Sequence, residues 1–478
     1  MVGYDLLVEM LAVISCLLVI VTGIKLYAPH WWIGVVVVLA FTSLPAFIPQ
    51  QVSFGGYGSY LHEVPLFLGG VFVLLRRPAN RNNDLCAAIV GAVTVVGALY
   101  GIVRGNDLVA TVNDARGLIA VSLCILIVGR IFSTPEAEVA LRAVRFTLWL
   151  SFAFILLGAW GIVTLSARSE DASLIGEGFR DKADVTRVLG QTTHLASATV
   201  GISLALWAIR PDLFRKTLPY FLPAFGITVL GFSRNGLVLI GVTLVLAPLF
   251  NSRFGERNEG RNGSGALRAL GIVLTGGVLF ALLGVALKYT AGIPGLDYLR
   301  LVYSAYANRV LEGLQASTLQ YDNSSLYRLG EVEWLKRAII DHELVGNGFG
   351  FRYRPAVGSG FAATSGTYYA HQFYWWAVAK VGWLGLIAYL AAFTLPIANA
   401  LLGRGRFALR SASGAAALGC LITITVAPLP EDAWGAPAFG ALLGIAMLRG
   451  PLRMGDDDQY VPDIASGNQL TSPKRVRG

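Results

Sequence analysis

A long apolar stretch near the C-terminus decides the fold of this chain. It reads FYWWAVAKVGWLGLIAYLAAFTLPIA, residues 373–398, and directly follows the polar segment YYAHQ at residues 368–372. A helix needs about 20 predominantly apolar residues to cross a bilayer, and this stretch is long enough. Only helices and closed barrels satisfy their backbone hydrogen bonds in lipid, and the alternation typical of barrel strands is missing here. The stretch therefore predicts a transmembrane helix.

Comparable apolar stretches recur along the whole chain. Of the 478 residues, 55% are hydrophobic and 14% are charged, and the mean hydropathy is +0.61; this composition excludes a water-soluble domain of this size. We predict an all-α, polytopic transmembrane helical bundle with about 12–13 spans, formed by residues 1–450. The predicted spans are residues 5–27, 32–48, 61–75, 85–103, 117–130, 144–166, 191–209, 218–232, 236–250, 268–288, 373–398, 412–428 and 435–448.

Lysine and arginine residues lie mainly in every second loop between the spans, for example Arg76, Arg77 and Arg81. This is the pattern of the positive-inside rule, so these loops and residues 251–265 are predicted to face the cytoplasm. The formal charge of +9 follows from this pattern and does not indicate a nucleic-acid partner. Thirteen spans place the N-terminus outside, whereas a re-entrant segment near the N-terminus would give twelve. Residues 451–478 lack apolar periodicity and are predicted to form a disordered cytoplasmic tail.

The same alternation places residues 289–372 outside the membrane as one large loop. Apolar residues from Leu296 onward have helical spacing, and Asn323 supplies N-cap chemistry for a second amphipathic helix. The glycine-rich turn at residues 346–350 allows tight backbone curvature and close approach. The loop ends at His371, just before a span. It is the segment in which a polar substrate could be handled.

Four arginines lie where a positive charge is costly in lipid, or on the predicted outer side, which the positive-inside rule disfavours. Arg234 interrupts an apolar run, Arg187 and Arg116 are expected at the outer ends of the seventh and fifth spans, and Arg328 lies on the second loop helix. Guanidinium groups match phosphate geometry and stay charged in a partly apolar site, so all four are predicted to bind an anionic substrate group. The alternatives are that Arg234 snorkels at a tight outward turn and that Arg328 is a solvated charge paired on its own helix.

His371 is the predicted catalytic residue. Its side chain has the intrinsic pKa of a general base near neutral pH, and it stands where the outward loop meets a span. The alternative is that it only caps the following helix. The sequence contains no HExxH motif and no phosphate-binding Walker loop, and Glu431-Asp432 is interpreted as a helix-end feature. We therefore predict no metal and no cofactor.

Four segments in this order resemble the O-antigen ligase and O-antigen polymerase superfamily of bacterial envelope glycosyltransferases. They are RVLGQTTHLA at residues 187–196, FSRNG at 232–236, the loop helix from residue 328 that ends in VGNGFG at 350, and AHQFYWWAVAKVGWLG at 370–385. The likeness covers roughly residues 100–400. One departure is that the family commonly has His-Asn where this chain has His371-Gln372, so an orienting role for Gln372 is open.

The resemblance implies a metal-independent transferase that acts on the outer side of the cytoplasmic membrane. Its donor would be an undecaprenyl-diphosphate-linked glycan, and its acceptor a hydroxyl of a glycan or lipid. In this scheme the arginines stabilise the leaving diphosphate and His371 accepts the proton of the acceptor. Polymerase and ligase both remain open, and a membrane transporter for an anionic solute is the alternative from another class.

Overall fold

A computed structural model describes residues 15, 18, 30–48, 50–54, 57–78, 80–132, 134–165, 168–171, 186–254, 264–289, 293, 296–311, 323–357, 364–402 and 407–448. Three predicted segments lie wholly or mostly outside these residues: the first span, the linker at 251–265 that is predicted to be cytoplasmic, and the tail at 451–478 that is predicted to be disordered.

Helices dominate the described part of the chain. They are α1 (Trp32–Phe41), α2 (Glu63–Arg76), α3 (Arg81–Val103), α4 (Leu108–Ile131), α5 (Pro135–Ala159), α6 (Thr192–Ile209), α7 (Phe214–Leu230), α8 (Arg234–Phe254), α9 (Ser264–Lys288), α10 (Leu296–Tyr306), α11 (Asn323–Ile339), α12 (Phe373–Leu402), α13 (Ala408–Thr423) and α14 (Ala436–Ala446). Two short antiparallel hairpins, which the sequence did not predict, join β1 (Gln51–Phe54) to β2 (Tyr57–Tyr60) and β3 (Arg168–Asp171) to β4 (Thr186–Leu189).

The predicted all-α membrane bundle is confirmed. Each of the predicted spans after the first overlaps a helix, although the helix in the span predicted at 32–48 ends at Phe41. Within the described residues, six helices are long and apolar enough to cross a membrane, namely α3, α4, α5, α6, α9 and α12. The remaining apolar helices α1, α13 and α14 are shorter, as is the apolar part of α8.

The start of α4 differs from its prediction. The helix begins at Leu108, nine residues before the predicted 117, because Asp107 caps it by accepting a hydrogen bond from the Ala110 amide at 2.8 Å. Arg116 therefore lies inside the helix, two turns from its start, and not at the end of a span as the sequence predicted. The polar residues before Arg116 belong to the same helix and face its neighbours.

The predicted continuous span at 373–398 is wrong in one respect, since α12 is broken at Gly382. This residue has φ 69° and ψ −178°, which interrupts the helical hydrogen bonds. The turn at residues 346–350 packs into the break: Asn347 and Gly348 donate their amides to the carbonyls of Ala379 and Lys380 at 2.9 and 2.8 Å. Two carbonyls of the same loop, those of Glu343 and Leu344, accept the amides of the helix just after the break at 2.9 and 3.2 Å. Irregular backbone is thus satisfied by protein inside the bundle.

The glycine turn needs its glycines, as the sequence predicted. Gly346, Gly348 and Gly350 have φ values of 71°, 80° and 77°. A Cβ on Gly348 would lie 2.4 Å from the Cα of Gly101 on α3, so the turn and α3 touch backbone to backbone. The side chain between them, Phe349, is fully buried. The turn is therefore a core element of the bundle, although it belongs to the large loop.

Candidate functional site

His371 is held by a buried carboxylate. Its Nδ1 lies 3.1 and 3.2 Å from the two carboxylate oxygens of Glu331, and its backbone amide donates to the same carboxylate at 3.1 Å. The Glu331 side chain is 0% exposed and the His371 side chain 23% exposed. Because a carboxylate only accepts, Nδ1 carries the proton and the lone pair of the neutral ring is on Nε2. This is the tautomer that a histidine base requires.

Helix α11 presents Glu331 through its buried face. Val332, Leu335 and Ile339 are buried on this helix, whereas Glu333 and Lys336 are exposed and form an ion pair with one another. A carboxylate in such a buried position is costly unless it is hydrogen-bonded. His371 donates these hydrogen bonds, so the two residues fix each other's position across the gap between α11 and the start of α12.

Two tyrosines enclose the imidazole ring of His371. Tyr327 and Tyr369 meet it edge to face, with ring centroids at 5.9 and 5.8 Å. Arg354 contacts the Tyr327 hydroxyl and stacks its guanidinium over that ring at 4.8 Å. Arg354 was not predicted as a site residue, because one arginine in a long loop gives no local signal. It lies close to the predicted catalytic histidine and adds positive charge there.

A fully buried ion pair lies beneath the glycine turn. Lys380 Nζ on α12 is 2.6 Å from Asp114 Oδ2 on α4, and the two side chains are 0% and 2% exposed. Lys380 also donates to the Phe351 carbonyl at 2.7 Å, and Asp114 accepts the Gly350 amide at 2.7 Å. The pair therefore ties the end of the turn to two spans. A lysine inside an apolar span was a usable signal that the sequence analysis overlooked.

Glu431 and Asp432 face the same region. Asp432 accepts the Gly435 amide at 3.2 Å, which is the helix-end role predicted from the sequence. The Glu431 side chain is instead buried, and its carboxylate oxygens have no hydrogen-bond partner within the described residues. Burial and the neighbouring charge of Asp114 raise the pKa of Glu431 well above its ordinary value. Burial raises the pKa of Asp432 as well, although the charge of His194 opposes that rise.

Arg116 lies beside this acidic region. Its guanidinium stacks over the Tyr60 ring at 5.0 Å, and its Nη1 is 3.7 Å from the Glu63 carboxylate. Its charge also acts on Asp432. The charges of Asp432 and Glu431, together with burial as the largest cause, raise the pKa of the Tyr369 hydroxyl well above its ordinary value. These interactions place Arg116 in the same polar region as His371.

Arg187 contacts the turn that directly precedes Arg234. The predicted junction of two helices at FSRNG is present, because α7 ends at Leu230 and α8 begins at Arg234. Phe232 has φ 42°, an uncommon left-handed conformation for a non-glycine residue, and the Ser233 hydroxyl accepts the Gly236 amide at 3.1 Å. Arg187 Nε on β4 donates to the Gly231 carbonyl of this turn at 3.0 Å.

The start of α6 lies between the turn that precedes Arg234 and the segment that carries Asp432. A Cβ on Gly231 would lie 3.4 Å from the side chain of Thr193, and a Cβ on Gly435 would lie 3.2 Å from the ring of the adjacent His194. Neighbouring residues of α6 therefore touch the turn that carries Arg234 and the segment that carries Asp432. The fourth predicted arginine, Arg328, is half-buried one turn before Glu331 on α11.

No group of three or more histidine, cysteine, aspartate or glutamate residues is arranged to hold a metal ion in the part of the chain that the structure describes. The three cysteines of that part, Cys86, Cys124 and Cys420, are buried and unbonded to one another. Neither a model of a known protein family nor a curated protein matches this chain, so its resemblance to the O-antigen ligases stays a prediction from sequence.

Proposed function

We propose that this protein transfers a glycan from an undecaprenyl-diphosphate-linked donor to an acceptor hydroxyl. The observation that carries the proposal is the pairing of His371 with the fully buried carboxylate of Glu331, at 3.1 Å. A histidine whose Nδ1–H is held by a carboxylate is fixed in orientation and in tautomer, with its lone pair on Nε2. Together with arginines suited to a diphosphate, this pair matches the needs of glycosyl transfer to a hydroxyl.

In the proposed reaction, the acceptor oxygen attacks the anomeric carbon of the donor sugar. A new carbon–oxygen bond forms to the acceptor, while the bond from the anomeric carbon to the diphosphate oxygen breaks and its electron pair leaves with the diphosphate. His371 Nε2 takes the acceptor proton, and the imidazolium that results is stabilised by Glu331. The diphosphate already activates the sugar, so the scheme needs no nucleotide.

The arginines divide into groups around the proposed centre. Arg116 lies near Asp432 and Tyr60, whereas Arg187 donates a hydrogen bond to the turn between α7 and α8, which directly precedes Arg234. Arg328 is on the helix that presents Glu331. We propose that these residues bind the donor diphosphate, because preorganised guanidinium groups stabilise charge that develops on a leaving group in a water-poor site.

The proposed setting is the cytoplasmic membrane, with the site on the outer side. The support is the apolar bundle itself and the concentration of basic residues in alternate loops. The outward segment at residues 289–372 would then meet a lipid-linked donor in the outer leaflet and an acceptor from the aqueous side. The acceptor is a hydroxyl of a glycan or a lipid, as in a polysaccharide polymerase or a ligase.

Purified protein mixed with a lipid-linked oligosaccharide tests the proposal. We expect release of lipid diphosphate and formation of an extended glycan, and we expect His371→Ala to lower turnover by about 10²–10⁴-fold. Donor binding by this variant should stay close to wild type, since the arginines are intact. A matched control is His342→Ala, because His342 is another histidine of the same loop and its Nε2 contacts Arg104 at 3.1 Å.

Glu331→Gln separates the proposed dyad from a histidine that only caps its helix. The amide still accepts hydrogen bonds but cannot stabilise an imidazolium, so turnover should fall while the protein remains folded. Turnover near wild type in His371→Ala would remove His371 from the mechanism. Flux of an anionic solute through liposomes containing the protein, without any glycan transfer, would favour the transporter alternative.

A further inference from the structure

The bundle contains a partly open apolar cavity that the proposed glycosyl transfer does not use. Its volume is about 250 Å³, and it lies among α1, α4, α5, α6, α7 and α14. Ile33, Ile127, Ala140, Leu195, Ile202 and Leu442 are among the residues that line it. A cavity with such walls does not hold water well, and an empty void of this size would cost stability. We therefore expect an apolar molecule to fill the cavity.

The dimensions of the cavity match one lipid chain. Its lining residues on α6 run from Leu195 to Leu206, which is about 16 Å along a helix with a rise of about 1.5 Å per residue. Half of a bilayer's hydrocarbon core is about 15 Å thick. The cavity is thus as deep as one leaflet and follows the direction of the spanning helix.

The charge at one end of the cavity indicates what kind of lipid fits. Lys216 and Thr217 line the cavity in the first turn of α7, and Lys216 is exposed. Lys216 is the one charged residue among the lining residues that the structure describes. Arg142 and Arg145 of α5 are exposed and act electrostatically on Tyr220, which also lines the cavity. A slot with apolar walls and cations at its mouth complements an acyl chain with an anionic headgroup.

We infer that this cavity binds one acyl chain of an anionic phospholipid whose headgroup lies against Lys216. The basic residues around Lys216, at the start of α7, are predicted to face the cytoplasm, where the leaflet is anionic. The bound lipid fills the space between α5, α6 and α7 and so supports the packing of α6, whose first turn contacts the candidate site. This binding does not depend on the proposed glycosyl transfer and is measured separately from it.

Native mass spectrometry of the purified full-length protein tests the inference, with dioleoylphosphatidylglycerol and dioleoylphosphatidylcholine as the probes. We expect one tightly retained phosphatidylglycerol in preference to phosphatidylcholine. Lys216→Ala should weaken phosphatidylglycerol binding about fivefold, the factor that corresponds to one basic residue near an anionic surface. Arg268→Ala is the matched control, since Arg268 is exposed near the start of α9, on the same predicted side, and does not line the cavity.

Ala140→Phe tests the chain-binding part. Ala140 is half-buried and lines the cavity, so a phenyl group there should abolish retention of the lipid whatever its headgroup. A photoreactive residue at position 140 should cross-link to lipid. Cross-linking to residues 1–29 instead, equal retention of the two probes, or unchanged binding in Lys216→Ala would each overturn the inference. Lys216→Ala is a surface change, so the inference stays testable even if Ala140→Phe fails to fold.

Discussion

Replacing Lys380 by methionine should destabilise the protein by about 3–5 kcal/mol. The lysine ammonium and the Asp114 carboxylate are 2.6 Å apart, and their side chains are 0% and 2% exposed. Without the lysine, a carboxylate remains buried with no opposite charge beside it, and breaking one partner of such a pair carries this cost. The Phe351 carbonyl also loses the donor that lies 2.7 Å away. The expected loss is therefore among the largest that a single substitution in this chain can produce.

A second substitution distinguishes lost charge pairing from lost packing. Asp114→Asn keeps an oxygen that accepts the Gly350 amide, now bonded to the carboxylate at 2.7 Å, but it carries no charge. In the double variant Lys380→Met/Asp114→Asn, no charge is left unpaired, so part of the stability should return. We expect a coupling energy of about 2–3 kcal/mol between the two sites. The free energy of unfolding is measured in mixed micelles by titration with denaturant, with tryptophan fluorescence as the signal.

The exposed ion pair between Arg210 and Asp212 is the control. Its atoms are 2.8 Å apart, but the side chains are 59% and 57% exposed. Solvent screens such a pair, so removal of either partner should change the free energy of unfolding by about 0–1 kcal/mol. If Lys380→Met behaved like this control, or if the two buried substitutions were additive within about 0.5 kcal/mol, the buried pair would not be what holds the glycine turn.

Three further predictions test the turn, the anion site and the topology. Gly348→Ala should lower the free energy of unfolding by at least about 1–3 kcal/mol, because Gly348 has φ 80° and a Cβ there would lie 2.4 Å from backbone. The control is Gly330→Ala on α11, where nothing lies within 4 Å of the added Cβ. This control should raise the free energy of unfolding by about 0.5–1 kcal/mol in the same titration. Arg234→Lys should lose most lipid diphosphate release while the protein stays folded, since an ammonium does not reproduce a bidentate guanidinium, and full activity would make this arginine a structural charge. In intact cells, an impermeant thiol reagent should label Ser317→Cys, which lies outside the described residues, and should leave Ser264→Cys unlabelled, whereas the reverse result would invert the topology.

The spans were predictable because lipid imposes both their length and their composition. Every apolar run that the sequence analysis identified after the first overlaps a helix, and the junction at FSRNG separates α7 from α8 as expected. The break at Gly382 was not predictable in this way. A glycine inside an apolar helix is tolerated in many spans, and here it becomes a break because a distant loop supplies hydrogen-bond partners for the interrupted backbone.

The residues of the candidate site were predictable only where the local sequence makes one residue stand out, for example a charge within an apolar run. Arg234 was identified on this ground, and His371 was identified by its position between a polar loop and a span. The partners were not found, since Glu331 is 40 residues from His371 and Asp114 is 266 residues from Lys380 in the sequence. One sequence contains no information about which distant residues pair. The predicted arginines also have different surroundings: Arg187 donates a hydrogen bond to the α7–α8 turn, whereas Arg116 stacks over the Tyr60 ring.

The position of His371 follows from three features, each of which would be unfavourable alone. A broken α12 exposes backbone amides and carbonyls, a glycine turn inside the bundle does the same, and a lysine in a span carries a buried charge. Together they satisfy one another, because the turn fills the break and Lys380 holds both the turn and Asp114. The ends of the segment 351–372 are thereby fixed, one by Gly350 and the other by the start of α12. The proposed base, although it belongs to a loop, thus has a fixed position, with Glu331 as its direct support.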